Sequence, residues 1–522
     1  MKEFREALAK VQPTNAEGRR WIYVAYDQLS DAVGPLAEQP PETLGIVMVE
    51  SADKGGRRPY HKQKLLWVLA NGRHFALEQA ARGVAVDVRA GPAPIADQLR
   101  AAIADHGPLE VRRPAEYELR HELAPLFEDG GLVEIPHGGW LTHDSDFDAL
   151  GSPPWRMDAF YRRVRKRTGL LMEGGKPIGG RYSFDGDNRK PWSGDPVAPT
   201  PPTFEVDPIT AEAAEWIATR FVDHPGQLTP DSVPTTQSDA TAVWEWAKAT
   251  CMTHFGPYED AMSVQSRNVF HTRLSPLLNV GRLLAQPVLD DVLALDIPMS
   301  SKEGFIRQLI GWREFVRHVH ERTEGLTALP DGFRRRHLGD GNALPPAFWG
   351  QAPSGLFCLD HVVEGVWEEG YSHHITRLMV LSNLATLLDY SAEELSDWFW
   401  VAYVDAYDWV VQPNVLGMGT FSLGDLMTTK PYVSGSAYID KMSDFCASCR
   451  FHPKKTCPIT HLYWSFLSRN AEILGEVDRM KLVMGSLRRR SPAKLKIDAD
   501  TLSWVQQTLA KGETLDPEDR PR

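Results

Sequence analysis

The chain has little cysteine, no excess of basic charge and no long uninterrupted apolar run, and each shortage removes a class of protein. Five cysteines in 522 residues are too few, and odd in number, for a disulfide-stapled secreted scaffold. With 57 Lys and Arg against 69 Asp and Glu, the net charge is −12. That excludes a general basic coat for nucleic acid and leaves room for a local basic groove. The most apolar stretches, such as residues 375–388, are broken by Thr376, Arg377, Ser382 and Asn383, so none is clean enough to span a bilayer and no membrane partner is expected. Residues 1–20 are polar and show no apolar signal core, which points to a cytoplasmic protein; a monomer is expected. Hydrophobic residues at 42% and charged residues at 24% give a globular balance. The length suits two or three domains.

Short apolar runs alternate with amphipathic stretches in the first part. Residues 21–26, 44–49, 84–89, 109–112 and 132–135 read as strands, and residues 61–82, 95–106 and 116–128 as the helices between them. This alternation predicts an α/β domain over residues 1–136 with a doubly wound parallel sheet. Such sheets bind ligands at the carboxyl ends of their strands, where Asp27-Gln28-Leu29 and Glu50-Ser51 fall; ordinary turn residues explain them equally well. Residues 137–207 are rich in Gly and Pro and read as a connector with one helix inside it. That helix carries Arg156, Arg162, Arg163, Arg165, Lys166 and Arg167, either a phosphate-contacting face or a solvated charged one. From residue 208 to 522 the pattern is helical, with apolar stripes such as Val362, Val366, Leu384 and Leu388, which predicts an all-α domain.

Three cysteines crowd together: Cys446 and Cys449 form a C-x-x-C pair, and Cys457 precedes Pro458. Two thiolates at that spacing can grip one metal centre, and Cys358 is a candidate fourth ligand from a distant segment. The set suits zinc, with His452 or His461 as further ligands, or an iron–sulfur cluster, and spacing alone does not choose. Cys251 has no partner in the pattern and reads as core.

Several phrases of the helical part together resemble the cryptochrome/photolyase superfamily. They are His271-Thr-Arg-Leu-Ser-Pro-Leu-Leu-Asn, Gly311-Trp-Arg-Glu-Phe, Tyr371-Ser-His-His-Ile-Thr-Arg, Val404-Asp-Ala-Tyr-Asp-Trp409 with Pro413-Asn414, and Thr429-Lys-Pro-Tyr432 running into the cysteines. Asp27-Gln-Leu-Ser30 and Tyr60-His-Lys-Gln-Lys64 extend the match into the first part. The later phrases resemble the iron–sulfur bacterial branch, whose best-known members are (6-4) photolyases.

The resemblance implies FAD in the helical domain, contacted by Thr272, Leu274, Ser275, Arg313, Asp405 and Asn414. It implies a lesion pocket walled by Trp312. It also implies a [4Fe-4S] cluster on Cys358, Cys446, Cys449 and Cys457, and a 6,7-dimethyl-8-ribityllumazine antenna near Gln28 and Glu50. The implied activity is light-driven repair of pyrimidine (6-4) photoproducts in damaged DNA. His374 and His373 are the implied proton donors, since imidazole exchanges protons near neutral pH; Tyr432 joins them. Trp398 and Trp349 are the implied electron donors, and Arg162–Arg167 and Arg181–Lys190 the implied DNA contacts. Cyclobutane-dimer enzymes carry Glu three residues before the motif Trp, where this chain has Leu309. Val411 stands where some members have Glu near flavin N5, and Phe399 where they have Tyr. These departures keep open a photoreceptor of the cryptochrome type without repair.

Overall fold

The computed structural model describes residues 1–335 and 341–521. Five parallel strands, β1 (Arg20–Tyr23), β2 (Leu44–Ser51), β3 (Ala85–Gly91), β4 (Leu109–Arg112) and β5 (Leu132–Ile135), form one sheet in the order β3-β2-β1-β4-β5. Because side chains alternate along a strand, β1 feeds two cores. Ile22, with Ile46 and Met48 of β2, packs under Leu66, Ala70 and Phe75 of the Lys62–Ala81 helix. Trp21 and Tyr23, with Val47, meet Leu99 of the Ile95–His106 helix and Leu119 and Leu123 of the Tyr117–Glu128 helix. Gly45 is required beside β1, since a Cβ there would lie 2.6 Å from the Trp21 indole.

The expected doubly wound sheet is therefore present, and the strand order reverses between β1 and β4. β1 ends at Tyr23, short of the expected residue 26. The chain turns there toward the helical body, and Leu29 N–H donates to the Val280 carbonyl at 2.8 Å. Gly281 makes that approach feasible: its φ is +87°, and a Cβ would stand 3.0 Å from Leu29 N.

The connector holds more structure than the one expected helix. It contains helices Asp144–Asp148 and Met157–Thr168 and a small hairpin of Met172–Glu173 with Lys176–Pro177. Phe147, Trp155, Phe160 and Val164 bury it against Phe315 and Ile310. Helix Pro208–Arg220, which the sequence puts at the start of the helical part, packs on the Lys62–Ala81 helix instead. Beyond it the chain is helical to the end among the described residues, with a second large core around Leu359, Val380, Leu384, Trp398 and Leu462. No helix among the described residues is long and apolar enough to cross a membrane.

Candidate functional site

Asp405 organises the centre of the helical body. The Arg377 guanidinium forks onto its carboxylate at 2.9 and 3.0 Å, the Ser275 hydroxyl donates to it at 2.6 Å, and Asn279 Nδ2 donates to its carbonyl at 2.8 Å. A two-bond Arg–carboxylate pair fixes orientation as well as charge. Arg377 also lies over the Tyr403 ring, 4.0 Å from its centroid. Arg377 starts a π-helical turn, Arg377–Ser382, and two more such turns, Arg307–Arg313 and Pro413–Gly419, carry Trp312, Arg313 and Asn414. π-Helical turns are rare and gather at functional sites. Nothing in an apolar repeat distinguishes them from α-helix, so the sequence gives no sign of them.

Arg313 is sandwiched between indoles, 4.4 Å from the Trp140 ring and 5.4 Å from the Trp409 ring. Its polar contacts are long, 3.4 Å to Glu314 and 3.4 Å to the Leu278 carbonyl, and its buried Nε has no partner. Burial pulls its pKa down to about 10. A buried guanidinium with spare donors suits an anionic group. Arg313, Asn279, Trp409, Arg112, Asp27 and Gln28 line one small cavity between the domains. Both Asp27 carboxylate oxygens lack a partner there, and burial pushes its pKa up to about 6. Thr272 and Leu274 are buried beside Ser275, and Asn414 Nδ2 is taken by the Val410 carbonyl at 2.8 Å.

The two sequence-selected histidines join a third. His373 stacks on His271 with centroids 4.4 Å apart and an interplanar angle of 7°, and His374 meets His271 edge-on at 5.3 Å. Burial, with the neighbouring imidazoles, holds His271 and His373 well below the usual histidine range. His374 is half exposed, and its Nε2 stands 3.7 Å from Asp260, which also accepts from Tyr438 at 3.1 Å. Tyr432 is half-buried, and its charged neighbours are Asp185, Arg479 and Arg189. His271 was missed because it sits inside a phrase read only for its Leu-Ser-Pro core.

Trp398 is fully buried and Trp349 half-buried, and Trp367, which the sequence reading passed over, lies against both. Phe399 stacks on Tyr403 at 5.4 Å, and Val411 is buried.

Cys446 lies in the Phe445–Ser448 turn, Cys449 ends it, Cys457 precedes the Ile459–Arg469 helix and Cys358 opens the Phe357–Glu369 helix. Burial first, then the thiols of Cys457, Cys449 and Cys446, push Cys358 well above the usual thiol range, so the four converge. Among the described residues no three of these sulfurs lie within 4.8 Å of one another; around a single tetrahedral ion with Zn–S bonds of about 2.3 Å they would be about 3.8 Å apart. His461 is committed to Asp498 at 2.8 Å, and His452 Nδ1 accepts from Lys454 N at 3.1 Å.

The carboxyl ends of β1, β2 and β3 open into a larger cavity. Its walls are mainly apolar (Val24, Met48, Leu65, Val68, Leu69), and Phe4, Trp216, Phe221, Trp400 and Tyr407 close it from distant segments. Glu50 lines it, held by Arg73 at 2.9 and 3.0 Å. Gln28 faces the smaller cavity, and its Nε2 donates to the Arg112 carbonyl at 2.7 Å. The two residues expected in one pocket thus stand in two, because the chain bends away from the sheet after Tyr23. At one pole Tyr26 donates to Glu116, and burial, with nearby Asp408, holds the Glu116 carboxyl well above the usual range.

The arginine-rich connector is only partly a free basic face. Arg165 is buried on the carbonyls of Leu170, Leu171 and Tyr182, Arg167 pairs with Asp146 at 2.5 Å, and Arg156 donates to the Asp425 carbonyl at 2.7 Å. Arg163 and Lys166 are exposed, while Arg181 and Arg189 pair with Asp187 and Asp185.

A parallel α/β domain joined to a helical body with a charged, aromatic-rich centre defines a two-domain architecture shared with known proteins. Residues 22–233 match the family model for the deoxyribodipyrimidine photo-lyase-related protein. The chain is 33% identical over 482 residues to the (6-4) photolyase of Agrobacterium fabrum (strain C58 / ATCC 33970), covering 88% of this chain and 93% of that protein. In fold it is similar to a bacterial class III photolyase from Agrobacterium tumefaciens, with TM-score 0.55, 14% identity, and 96% and 98% of the two chains covered. It is also similar to an archaeal photolyase from Sulfolobus tokodaii, with TM-score 0.53, 14% identity, and 93% and 99% covered. The chain belongs to the photolyase/cryptochrome family.

Proposed function

We propose that this protein repairs pyrimidine (6-4) pyrimidone photoproducts in damaged DNA, using light and FAD, as a monomer in the cytoplasm. The observation that carries the reading is the near full-length relationship to a (6-4) photolyase. The donor set supports an FAD fit: Arg313 has buried donors to spare for an anionic phosphate, and Ser275 and Asn279 crowd the Asp405–Arg377 pair. Thr272, Leu274, Ser275, Arg313, Asp405 and Asn414 are the residues that would hold it. Bound there, FAD supplies the light-driven electron. The chain supplies the rest. Trp312 walls the pocket for a flipped-out lesion, His374 gives and retakes a proton at the lesion, and His373 and Tyr432 orient it. The net-acidic surface leaves exposed Arg163 and Lys166 as phosphate contacts.

Cys358, Cys446, Cys449 and Cys457 hold a [4Fe-4S] cluster. The C-x-x-C pair Cys446/Cys449, with Cys457 before Pro458 and Cys358 from a distant segment, supports this ligand set. The larger cavity, at the strand ends, takes the lumazine antenna, with Glu50 on its rim.

Irradiating a (6-4)-containing oligonucleotide with the reduced holoprotein restores normal bases; unchanged lesion with full flavin and cluster present rejects repair. Buried Val411 and Phe399 favour one second reading, a photoreceptor with the same cofactors and no repair. Valine relays no proton.

A further inference from the structure

The segment that follows helix Pro492–Ala510 runs over the cysteine centre. Past Gly512, whose φ is +70°, it makes contact with all three cysteine-bearing segments. The Thr514 hydroxyl donates to the Pro353 carbonyl at 3.3 Å, and Leu515 N–H donates to the Ser354 carbonyl at 3.0 Å. These carbonyls belong to the turn before Cys358. Asp360 fixes that turn by accepting from Ser354 N and Gly355 N at 2.7 and 3.0 Å. Asp516 accepts from Arg450, the neighbour of Cys449, at 2.6 Å. Arg520 donates to His461 Nε2 at 3.5 Å, four residues beyond Cys457.

Leu515 is the anchor. It is fully buried in the apolar core that contains Cys358 and against which Cys446, Cys449 and Cys457 pack. Gly355 permits the close approach: its φ is +83°, and a Cβ there would lie 2.5 Å from the Leu515 carbonyl oxygen. The receiving turn is thus shaped to the backbone it receives. Around the anchor the hold is weak. The Arg450–Asp516 pair is largely exposed, and such pairs contribute little. Segments near a chain end also open at lower free energy than the core they cover. One apolar side chain and two surface clasps therefore decide whether this segment stays down.

We propose that residues 513–520 are a strap that gates access to the metal centre. Docked, it ties the three cysteine segments together and keeps solutes from the sulfurs; released, it lets the metal go. The proposal rests on the metal-centre reading above. When a chelator takes iron, each iron–cysteine bond breaks, a chelator nitrogen occupies the vacated position on the iron, and the freed thiolate takes a proton from water. The strap acts before that exchange, by setting how often the centre is open to it.

The test compares the wild-type holoprotein with a chain stopped after Gly512, with Asp516→Ala/Arg520→Ala, and with Val505→Ala. Val505 is buried in the preceding helix, outside the strap. Iron and sulfide per chain, bound flavin, the urea midpoint, hydrogen exchange at the Leu515 amide, and iron release to bathophenanthroline disulfonate under argon are measured. The stopped chain is expected to keep its flavin and to release iron about tenfold faster, the equivalent of about 1.4 kcal/mol in a barrier. The double variant leaves the core untouched and decides the matter should the stopped chain fold poorly. It is expected to release iron about threefold faster, in keeping with the loss of exposed pairs, and to exchange the Leu515 amide faster by the same factor. Val505→Ala is expected to lower the urea midpoint and to release iron at the wild-type rate. Wild-type release in the stopped chain and the double variant, or equal acceleration in Val505→Ala, overturns the strap alone. Freshly purified wild type with neither iron nor sulfide overturns both the strap and the metal-centre reading.

Discussion

The Lys64 ammonium, from the α/β domain, donates to the Trp400 carbonyl of the helical body at 2.6 Å and to that of Ala406 at 2.5 Å. Lys64 is buried beside the larger cavity, over the rings of Tyr60 and Tyr407. Removing the ammonium strands two buried carbonyls, each at about 1–3 kcal/mol. Lys64→Met is expected to cost about 2–6 kcal/mol on this basis, read as a lower urea midpoint. An unchanged midpoint means that water replaces the ammonium at no loss.

Asp405→Asn removes the charge that the Arg377 fork and the Ser275 hydroxyl meet. Breaking one partner of a buried pair costs about 3 kcal/mol or more, reduced here because Arg377 keeps some solvent contact. The expected outcome is loss of bound flavin together with about 2 kcal/mol of stability. Full flavin content in the variant means that Asp405 serves only the fold.

Cys449→Ala is expected to strip iron and sulfide from the protein, whereas Cys251→Ala leaves both intact. Cys251 is buried away from the other four, its thiol pushed up to about 12 by burial, and it lies 3.9 Å from the His271 carbonyl. Iron and inorganic sulfide analysis reads the outcome. Zinc in place of iron in the wild type ends the cluster assignment.

Filling the larger cavity separates antenna from flavin. Val68 lines that cavity from the Lys62–Ala81 helix, and Asp405 is not among the residues lining it. Val68→Phe is expected to abolish antenna absorption, to leave bound flavin unchanged, and to raise stability by up to about 1 kcal/mol, as cavity-filling substitutions commonly do. Antenna binding at the wild-type level would move the antenna site elsewhere.

These sites were legible in the sequence to different depths. The sheet could be read because β1 to β5 are short apolar runs between helices of clear period, such as Ile95–His106. The crowding of the cysteines could be read because three of them lie within twelve residues, Cys446 to Cys457. The place of the large cavity could be read at the strand ends, where Glu50 and Ser51 line it, but its closing walls could not, because Phe4, Phe221, Trp400 and Tyr407 reach it from segments that only the tertiary fold brings together. The connector arginines read as one basic face, yet Arg165 is swallowed by the carbonyls of Leu170 and Leu171 in the turn that follows it and of Tyr182 beyond the hairpin, a closure no charge pattern reveals. Trp367 escaped for a related reason: one indole among 16 carries no mark until Trp349 and Trp398 are seen on either side of it.

His61 makes the fold sensitive to acid in a predictable direction. It is fully buried at the start of the Lys62–Ala81 helix; its Nδ1 accepts from Gln63 N–H at 3.0 Å, and its Nε2 lies 3.1 Å from the Trp367 carbonyl, which assigns the proton to Nε2. Burial lowers its pKa from 6.5 to about 4. Below pH 6.5 the unfolded chain takes up a proton there that the folded chain refuses, so the unfolded state gains on the folded one. The stability tied to this group is complete above 6.5 and is withdrawn as the pH falls toward 4. By pH 5 the loss is about 2 kcal/mol, at about 1.36 kcal/mol per unit. His61→Asn keeps an acceptor for the helix N-terminus and an N–H for the carbonyl but does not titrate. Other buried histidines, such as His137 and His318, act alike in both proteins, so the difference isolates His61. Urea unfolding at pH 7 and pH 5 should show the wild type losing about 2 kcal/mol more than His61→Asn over that interval; parallel losses would mean that His61 is protonated in the folded chain, and with it that a positive charge sits against Trp367.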